Sequence, residues 1–217
     1  MTQTFFDAAR RNPDTAPVMV LAHGAGVGAD SPFMESLARH LADRGVSVQR
    51  FEFPYMQRRR EDGRKRPPDR EPVLLDHYAR VVRQCREQIG AHRTLVIGGK
   101  SMGGRMASLL AAAPDGPPVE GVACFGYPFH PPGKLDRWRT GHFPDIDVPV
   151  AIFQGSRDPF GKPLELQAQP PLPPGVAVHW LDGGDHDLRP LKKQALEADA
   201  LIAEAAHRAA AFVHALA

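Results

Sequence analysis

The sequence predicts an α/β fold, in which a doubly wound, mostly parallel β-sheet carries helices on both faces. Three observations predict this class. Short apolar segments typical of buried strands alternate with longer segments typical of amphipathic helices. One strand runs directly into a helix through a turn of the form G-x-S-x-G at residues 99–103. Two later strands are each followed by a polar turn, one with an aspartate and one with a histidine.

The predicted elements cover almost the whole chain of 217 residues. Strands are predicted near residues 17–22, 46–51, 94–98, 119–125, 148–153 and 176–181. Helices are predicted near residues 31–44, 71–89, 103–113 and 190–215. Asp30 or Ser31 can cap the first helix, with Pro32 at its first position. No internal repeat is present, so we expect residues 1–217 to form a single domain.

The turn at residues 99–103 has the sequence Gly-Lys-Ser-Met-Gly. It follows an apolar strand and precedes an alanine-rich helix, which is the context of a nucleophile elbow. Such a turn is tight, so the residues at its two ends must be small to avoid the adjoining strand and helix. The turn lifts the serine hydroxyl above the sheet, at the N-terminus of the helix. Ser101 is therefore the candidate nucleophile.

A phosphate-binding loop is the alternative interpretation of the same residues. That motif has the form G-x-x-x-x-G-K-[ST] and requires a glycine five residues before its second glycine. The second glycine is Gly99 here, and position 94 holds Thr94. The phosphate-loop interpretation is therefore disfavoured.

An acid and a base follow Ser101 in the order that a Ser–acid–His triad takes after such an elbow. Asp158 lies in the turn after the strand at 148–153, and His186 lies after the strand at 176–181. Asp185 and Asp187 flank the histidine and compete for the role of the acid. We favour Asp158, because the acid is expected after the preceding strand and not beside the histidine.

The first apolar strand ends in a turn of the form H-G-x-G at residues 23–26. In enzymes with a nucleophile elbow, a backbone N–H from this loop joins the N–H that follows the nucleophile in binding the oxyanion. These donors are the N–H groups of Ala25 and Met102 in this chain. His23 is expected to brace the loop.

Together these motifs resemble the α/β-hydrolase superfamily, near its dienelactone hydrolase-like branch. More closely, the chain is similar to a little-characterised family that includes testis-expressed protein 30 and a subunit of the non-specific-lethal chromatin complex. The segments that carry the likeness are residues 21–26, 30–34, 53–56, 98–105 and 184–188. The resemblance implies an α/β-hydrolase fold with little or no cap domain. Dienelactone hydrolases proper use cysteine at the position of Ser101, so their substrate is not carried over.

A site of this kind predicts a serine hydrolase that cleaves a small to medium ester or thioester. His186 would take the proton of Ser101, Asp158 would orient the imidazole, and an acyl-enzyme would form. The chemistry requires neither a metal nor an organic cofactor. Two alternatives remain open at this level: an amidase or peptidase with the same triad, and a non-catalytic interaction module that retains the fold.

Two long loops bear on the substrate. Residues 54–70 contain six arginines and one lysine, which either form an anion clamp or lie on a solvated loop. The segment lacks interleaved aromatic residues on which bases would stack. Residues 126–147 are rich in aromatic residues, which either form a pocket wall or cover the core. In the first case the substrate would contact Tyr55, Met56, Tyr127 and Phe129.

The predicted chemistry makes a small-molecule acyl substrate the expected partner. The formal charge of +2 gives no reason to expect nucleic-acid binding. The first 13 residues lack a signal-peptide core, and no apolar run approaches the length of a membrane span. The only cysteines, Cys85 and Cys124, are expected to be buried, unpaired thiols. These features predict a cytoplasmic protein, and the sequence leaves the oligomeric state open.

Overall fold

The computed structural model describes residues 4–217 and contains one sheet of seven strands. The strands are β1 (Thr4–Asp7), β2 (Val18–Ala22), β3 (Ser47–Phe51), β4 (Leu95–Lys100), β5 (Gly121–Phe125), β6 (Val150–Gly155) and β7 (Val176–Leu181). Their order across the sheet is β1-β3-β2-β4-β5-β6-β7. Every neighbouring pair is parallel except β1 and β3, which are antiparallel.

Helices cover both faces of this sheet. They are α1 (Pro32–Ala42), α2 (Pro54–Asp62), α3 (Glu71–Ile89), α4 (Met102–Ala111), α5 (Pro163–Gln167) and α6 (Ala200–His214). Alternate side chains of the central strand β2 enter different cores, because successive side chains of a strand point to opposite faces. Val18 and Val20 join the core beneath α3 and α4, and Met19 and Leu21 join the core beneath α1 and α6. The predicted doubly wound α/β class is confirmed.

The connections place a crevice above β2 and β4. The chain leaves β2 for β3 on one side and later returns to form β4 on the other side, so the winding reverses between these two neighbours. Ligands of open α/β sheets bind at such a switch point, beyond the carboxyl ends of the strands. The connection from β5 to β6 contains only the 3₁₀ turn Phe143–Asp145, so no cap domain is inserted there.

Three elements were not predicted from the sequence, and one of them is the five-residue helix α5. Strand β1 has only four residues and lies at the edge of the sheet, where Phe6 is 60% exposed. A short, exposed edge strand does not need the continuous apolar pattern of a buried strand, and this sequence does not show one. Helix α2 occupies part of the segment that was predicted to be a loop. Its residues after Met56 are polar all round, but Pro54 begins it and Gly63, with φ of 70°, ends it.

The last helix begins at Ala200 and not near residue 190 as predicted. Residues 192–194 form a 3₁₀ turn, and Ala195 adopts a left-handed conformation with φ of 51°. The Gln194 side chain accepts a hydrogen bond from Leu191 N–H and donates one to the Asp182 carbonyl. Because the chain makes these contacts, residues 190–199 do not form the first turns of the predicted helix.

No helix among residues 4–217 is both long enough and apolar enough to cross a bilayer.

Candidate active site

Ser101 lies at the sharp turn between β4 and α4. Its φ of 51° and ψ of −114° are unusual for a residue with a side chain, and such strain is typical of functional sites. The turn also requires glycine on both sides. A Cβ atom on Gly99 would lie 2.5 Å from the backbone of Gly103, and a Cβ atom on Gly103 would collide with the Ala22 carbonyl. The sequence motif therefore has the tight geometry of a nucleophile elbow.

A chain of hydrogen bonds connects Ser101, His186 and Asp158. The Oγ atom of Ser101 lies 3.0 Å from Nε2 of His186, and Nδ1 of His186 lies 2.8 Å from Oδ2 of Asp158. Asp158 is fully buried. Its carboxylate accepts hydrogen bonds from the Gln154 side chain (2.9 Å) and from Phe160 N–H (2.9 Å). Gln154 donates to Oδ2 and Phe160 to Oδ1, and together they hold the carboxylate with Oδ2 towards the imidazole.

The two aspartates beside His186 have other partners. The Asp185 carboxylate accepts hydrogen bonds from the N–H groups of Asp187 and Arg189, both at 2.9 Å, and so shapes its own turn. Asp187 faces Lys100, with 3.3 Å between its Oδ1 and the lysine Nζ. Within residues 4–217, no group of three or more His, Cys, Asp or Glu side chains is arranged to hold a metal ion.

Lys100, which directly precedes Ser101, is a buried cation in the site. Its side chain is 7% exposed, and Nζ donates a 2.7 Å hydrogen bond to the backbone carbonyl of His186. The ammonium also lies 5.3 Å from the centre of the Phe33 ring. Burial lowers the pKa of Lys100, and the opposing effect of Asp187 is smaller. The lysine joins the elbow to the loop that carries the histidine.

The H-G-x-G turn is braced through its carbonyl groups. The Gly24 carbonyl lies 2.7 Å from Nδ1 of His23, whose Nε2 accepts a hydrogen bond from Phe53 N–H at 3.1 Å. His23 therefore carries its proton on Nδ1 and donates it to Gly24, and burial keeps the ring neutral by lowering its pKa. The Tyr55 hydroxyl lies 3.0 Å from the Ala25 carbonyl and 3.3 Å from the Gly24 carbonyl.

This bracing fixes the direction of the Ala25 N–H group. In a planar trans peptide the C=O and the N–H point in opposite directions, so Ala25 N–H points away from His23 and Tyr55. Met102 is the first residue of α4, where an N–H has no partner within the helix. Neither Ala25 N–H nor Met102 N–H donates a hydrogen bond within residues 4–217. Both donors are available to a ligand.

A cavity of about 350 Å³ opens above Ser101. Its walls are the turn at residues 24–27, the first residues of α1 with Phe33, and the side chains of Phe160 and His186. The Phe160 ring packs against the His186 ring, with 4.4 Å between their centres. Sequence reasoning missed both phenylalanines, although Phe33 lies in one of the segments that carry the family resemblance.

The four residues expected to contact substrate lie elsewhere, and none lines this cavity. Tyr55 is 1% exposed and braces the H-G-x-G turn, whereas Met56 lines a neighbouring hollow. Tyr127 and Phe129 are fully buried. The Tyr127 ring packs against Phe129 and Phe143, and its hydroxyl donates to the Arg139 carbonyl. The aromatic loop covers the core, because its rings pack together beneath it.

The basic segment uses several of its charges internally. Arg60 pairs with the fully buried Glu52, Arg58 pairs with Asp69, and Arg66 pairs with Asp62. Arg59 donates a 3.0 Å hydrogen bond to the Gly26 carbonyl at the rim of the cavity. The contact of Arg59 attaches α2 to the turn that precedes α1.

The fold and the elbow define the class of protein, an α/β hydrolase. A family model described as an alpha/beta hydrolase domain matches residues 15–214, and the chain belongs to this family.

Solved structures with the same fold include esterases and serine hydrolases. Est1E from Butyrivibrio proteoclasticus, in complex with ferulic acid, is 14% identical with a TM-score of 0.73, over 99% of this chain and 96% of that one. A dienelactone hydrolase from Anabaena variabilis is 19% identical with a TM-score of 0.73, over 98% and 91%. A lidless α/β serine hydrolase from Xanthomonas campestris is 20% identical with a TM-score of 0.62, over 86% and 81%.

Proposed function

We propose that this protein is a cofactor-free serine hydrolase that cleaves a small to medium ester or thioester through an acyl-enzyme on Ser101. The observation that carries the proposal is the chain of hydrogen bonds from Ser101 through His186 to Asp158 at an open cavity. Esterases and serine hydrolases among the structural neighbours agree with this reaction class.

In the proposed mechanism, Ser101 Oγ attacks the carbonyl carbon of the substrate while His186 Nε2 takes the hydroxyl proton. The imidazolium is stabilised by Asp158, which stays ionised and holds Nδ1–H. His186 then gives its proton to the leaving alcohol or thiol, and the acyl group remains on Ser101. Water, deprotonated by His186, attacks the acyl-enzyme and releases the acid.

The tetrahedral intermediates place a negative charge on the former carbonyl oxygen. The N–H groups of Ala25 and Met102 are the proposed donors to this oxygen. In other serine hydrolases, removal of one such donor raises the activation free energy by about 3 kcal/mol. The bracing of the Gly24 carbonyl by His23 and Tyr55 supports the assignment, because it orients Ala25 N–H before substrate binds.

The proposal also includes a narrower family relationship and a cellular compartment. The motifs at residues 98–105 and 184–188 support kinship with the family that includes testis-expressed protein 30. Cys85 and Cys124 are buried free thiols, which suit a reducing compartment, and we propose that the protein acts in the cytoplasm on a small-molecule substrate.

Fluorophosphonate labelling followed by intact-mass measurement tests the activation of Ser101 without any assumption about the natural substrate. We expect one adduct per chain on the wild-type protein and none on Ser101→Ala or His186→Ala, because the adduct requires an activated serine. Ser156→Ala and His92→Ala are matched controls. Ser156 lies outside the cavity and bonds Asp182, and His92 is exposed, so both controls are expected to label like the wild type.

The alternatives predict different results. A folded wild-type protein that reacts neither with this probe nor with a smaller one would contradict the proposal and favour a non-catalytic interaction module. An adduct that survives in Ser101→Ala would assign the reactive serine elsewhere. If the adduct forms as expected, parallel assays with a matched ester, thioester and amide distinguish an esterase or thioesterase from an amidase.

A further inference from the structure

A second hollow, of about 550 Å³, adjoins the cavity above Ser101. The two spaces share the lining residues Val27, Ser31, Phe33 and Asp187. The hollow beside Met56 shares only Val27 and Ser31 with the cavity. Another hollow, lined by Trp138, Trp180 and several prolines, shares no lining residue with it. The second hollow is therefore an extension of the candidate active site, and we refer to it as the α1 groove.

The α1 groove follows one side of α1. Phe33, Ser36 and Arg39 lie three residues apart along the helix and form its floor. Six residues at a rise of about 1.5 Å each give a length of about 9 Å from Phe33 to Arg39. Ala198, two residues before α6, and Ile202, in its first turn, line the opposite side. An extended chain attached to a carbonyl at Ser101 would fit along this groove.

The lining of the α1 groove favours an uncharged chain. Val27 is 54% exposed, which is unusual for a large apolar side chain, and it stands with Phe33 where the groove meets the cavity. The arginines of the groove already face aspartates: Arg39 lies 3.3 Å from Asp199, and Arg189 lies 3.6 Å from Asp187. These pairs leave no unmatched arginine to attract an anionic group, and the one further charged residue of the lining, Glu35, is itself anionic.

We propose that the α1 groove binds the acyl chain of the substrate, and that the protein prefers medium-chain acyl esters or thioesters, of hexanoyl to octanoyl length, over acetyl esters. The inference rests on the proposed function, because it needs a carbonyl at Ser101. It assigns specificity to Val27, Phe33 and Ser36, and none to the aromatic loop at residues 126–147.

The test compares kcat/KM for p-nitrophenyl acetate and p-nitrophenyl octanoate. Burial of each methylene group raises kcat/KM by up to about four-fold. Octanoate has six methylene groups more than acetate, so their partial burial is expected to favour octanoate by at least about ten-fold. Ser36→Trp fills the groove from α1, and Ala198→Trp fills it from the opposite side. Each variant is expected to lower the octanoate-to-acetate ratio by about five-fold or more, mainly through KM.

The matched control is Thr140→Trp, which adds the same side chain to the separate hollow beside Trp138. It is expected to leave the ratio and the acetate rate unchanged. Ala198 is exposed, so Ala198→Trp tests the groove even if Ser36→Trp unfolds. A wild-type preference for acetate, or an unchanged ratio in a folded groove variant, would overturn the inference. Loss of labelling by a short fluorophosphonate would instead refute the proposed function itself.

Discussion

At the scale of single residues, Lys100 is the most unusual side chain of the site. It is buried next to the nucleophile, and its hydrogen bond to the His186 carbonyl holds the loop of the histidine at a fixed distance from the turn of the serine. A hydrogen bond from a charged donor is worth about 1.5–3 kcal/mol. We expect Lys100→Met, which keeps the aliphatic stem, to lower kcat by about ten-fold or more, with a smaller change in KM. Steady-state kinetics on a chromogenic ester measure this effect.

The same substitution shows whether Lys100 positions the catalytic residues or stabilises the fold. Burial lowers the pKa of Lys100, which means that the fold destabilises its charged form despite the nearby Asp187. Relief of this unfavourable charge burial offsets the loss of the hydrogen bond to the His186 carbonyl, so the melting temperature of Lys100→Met should stay close to that of the wild type. A variant that loses activity and stability together would contradict this view and make Lys100 a structural residue. Lys192→Met, at an exposed lysine, is the control.

At the scale of elements, helix α2 supports the oxyanion turn. Its Tyr55 hydroxyl reaches the carbonyls of Gly24 and Ala25. We expect Tyr55→Phe to lower kcat by about five- to twenty-fold, because the loss of roughly 1–2 kcal/mol of buried hydrogen bonding loosens the peptide that carries Ala25 N–H. The rate of fluorophosphonate labelling should fall by a similar factor.

Tyr78→Phe is the matched control for this effect. Tyr78 is another fully buried tyrosine, and its hydroxyl bonds the backbone of Val20 and Gly98 in the middle of the sheet. Both substitutions are expected to lower the free energy of unfolding, which urea titration measures. Only Tyr55→Phe should lower activity per folded molecule. Equal activity losses in the two variants would show that Tyr55 has no special connection to the turn.

At the scale of the whole molecule, the sequence predicted the parts of the fold that have strong local signals. Buried strands of a parallel sheet are continuously apolar, and the elbow needs glycine at two fixed positions, so β2, β4, β5 and β6 were recognisable. The short edge strand β1 and the polar helix α2 lack such patterns. Their positions depend on contacts between distant residues, such as the antiparallel pairing of β1 with β3.

In the candidate site, too, some residues could be predicted from the sequence and others could not. Residues that follow strands were found because strand order determines which turns meet at one sheet edge. The walls of the cavity were not found, because a side chain's exposure depends on packing that the sequence does not show. Tyr127 and Phe129 belong to the aromatic cluster beneath their loop, whereas Phe33 and Phe160 face the serine.

Four buried or partly buried histidines give the whole fold a predictable response to acid. Burial lowers the pKa of His23, His77, His142 and His179, and for His142, next to Arg105, the pKa falls to about 4. Between this value and the ordinary pKa of about 6.5, the unfolded chain binds more protons than the folded one. The free energy of unfolding must therefore fall as the pH is lowered through this window.

Urea unfolding of the wild-type protein and of His142→Gln, from pH 7.5 to pH 4.5, tests this sign. The wild-type protein should lose stability steadily below about pH 6.5, with a slope of at most about 1.4 kcal/mol per pH unit for each such histidine. The slope of His142→Gln should be smaller, since one proton fewer is taken up on unfolding. The carboxylates of Asp30, Asp62, Glu165 and Asp199 have pKa values lowered from ordinary values of 3.8 to 4.5, so the stability they provide is lost mainly below that range and the slope at higher pH reports the histidines. A wild-type stability that is constant or rises as the pH falls to 4.5 would show that the buried histidines are protonated in the folded protein.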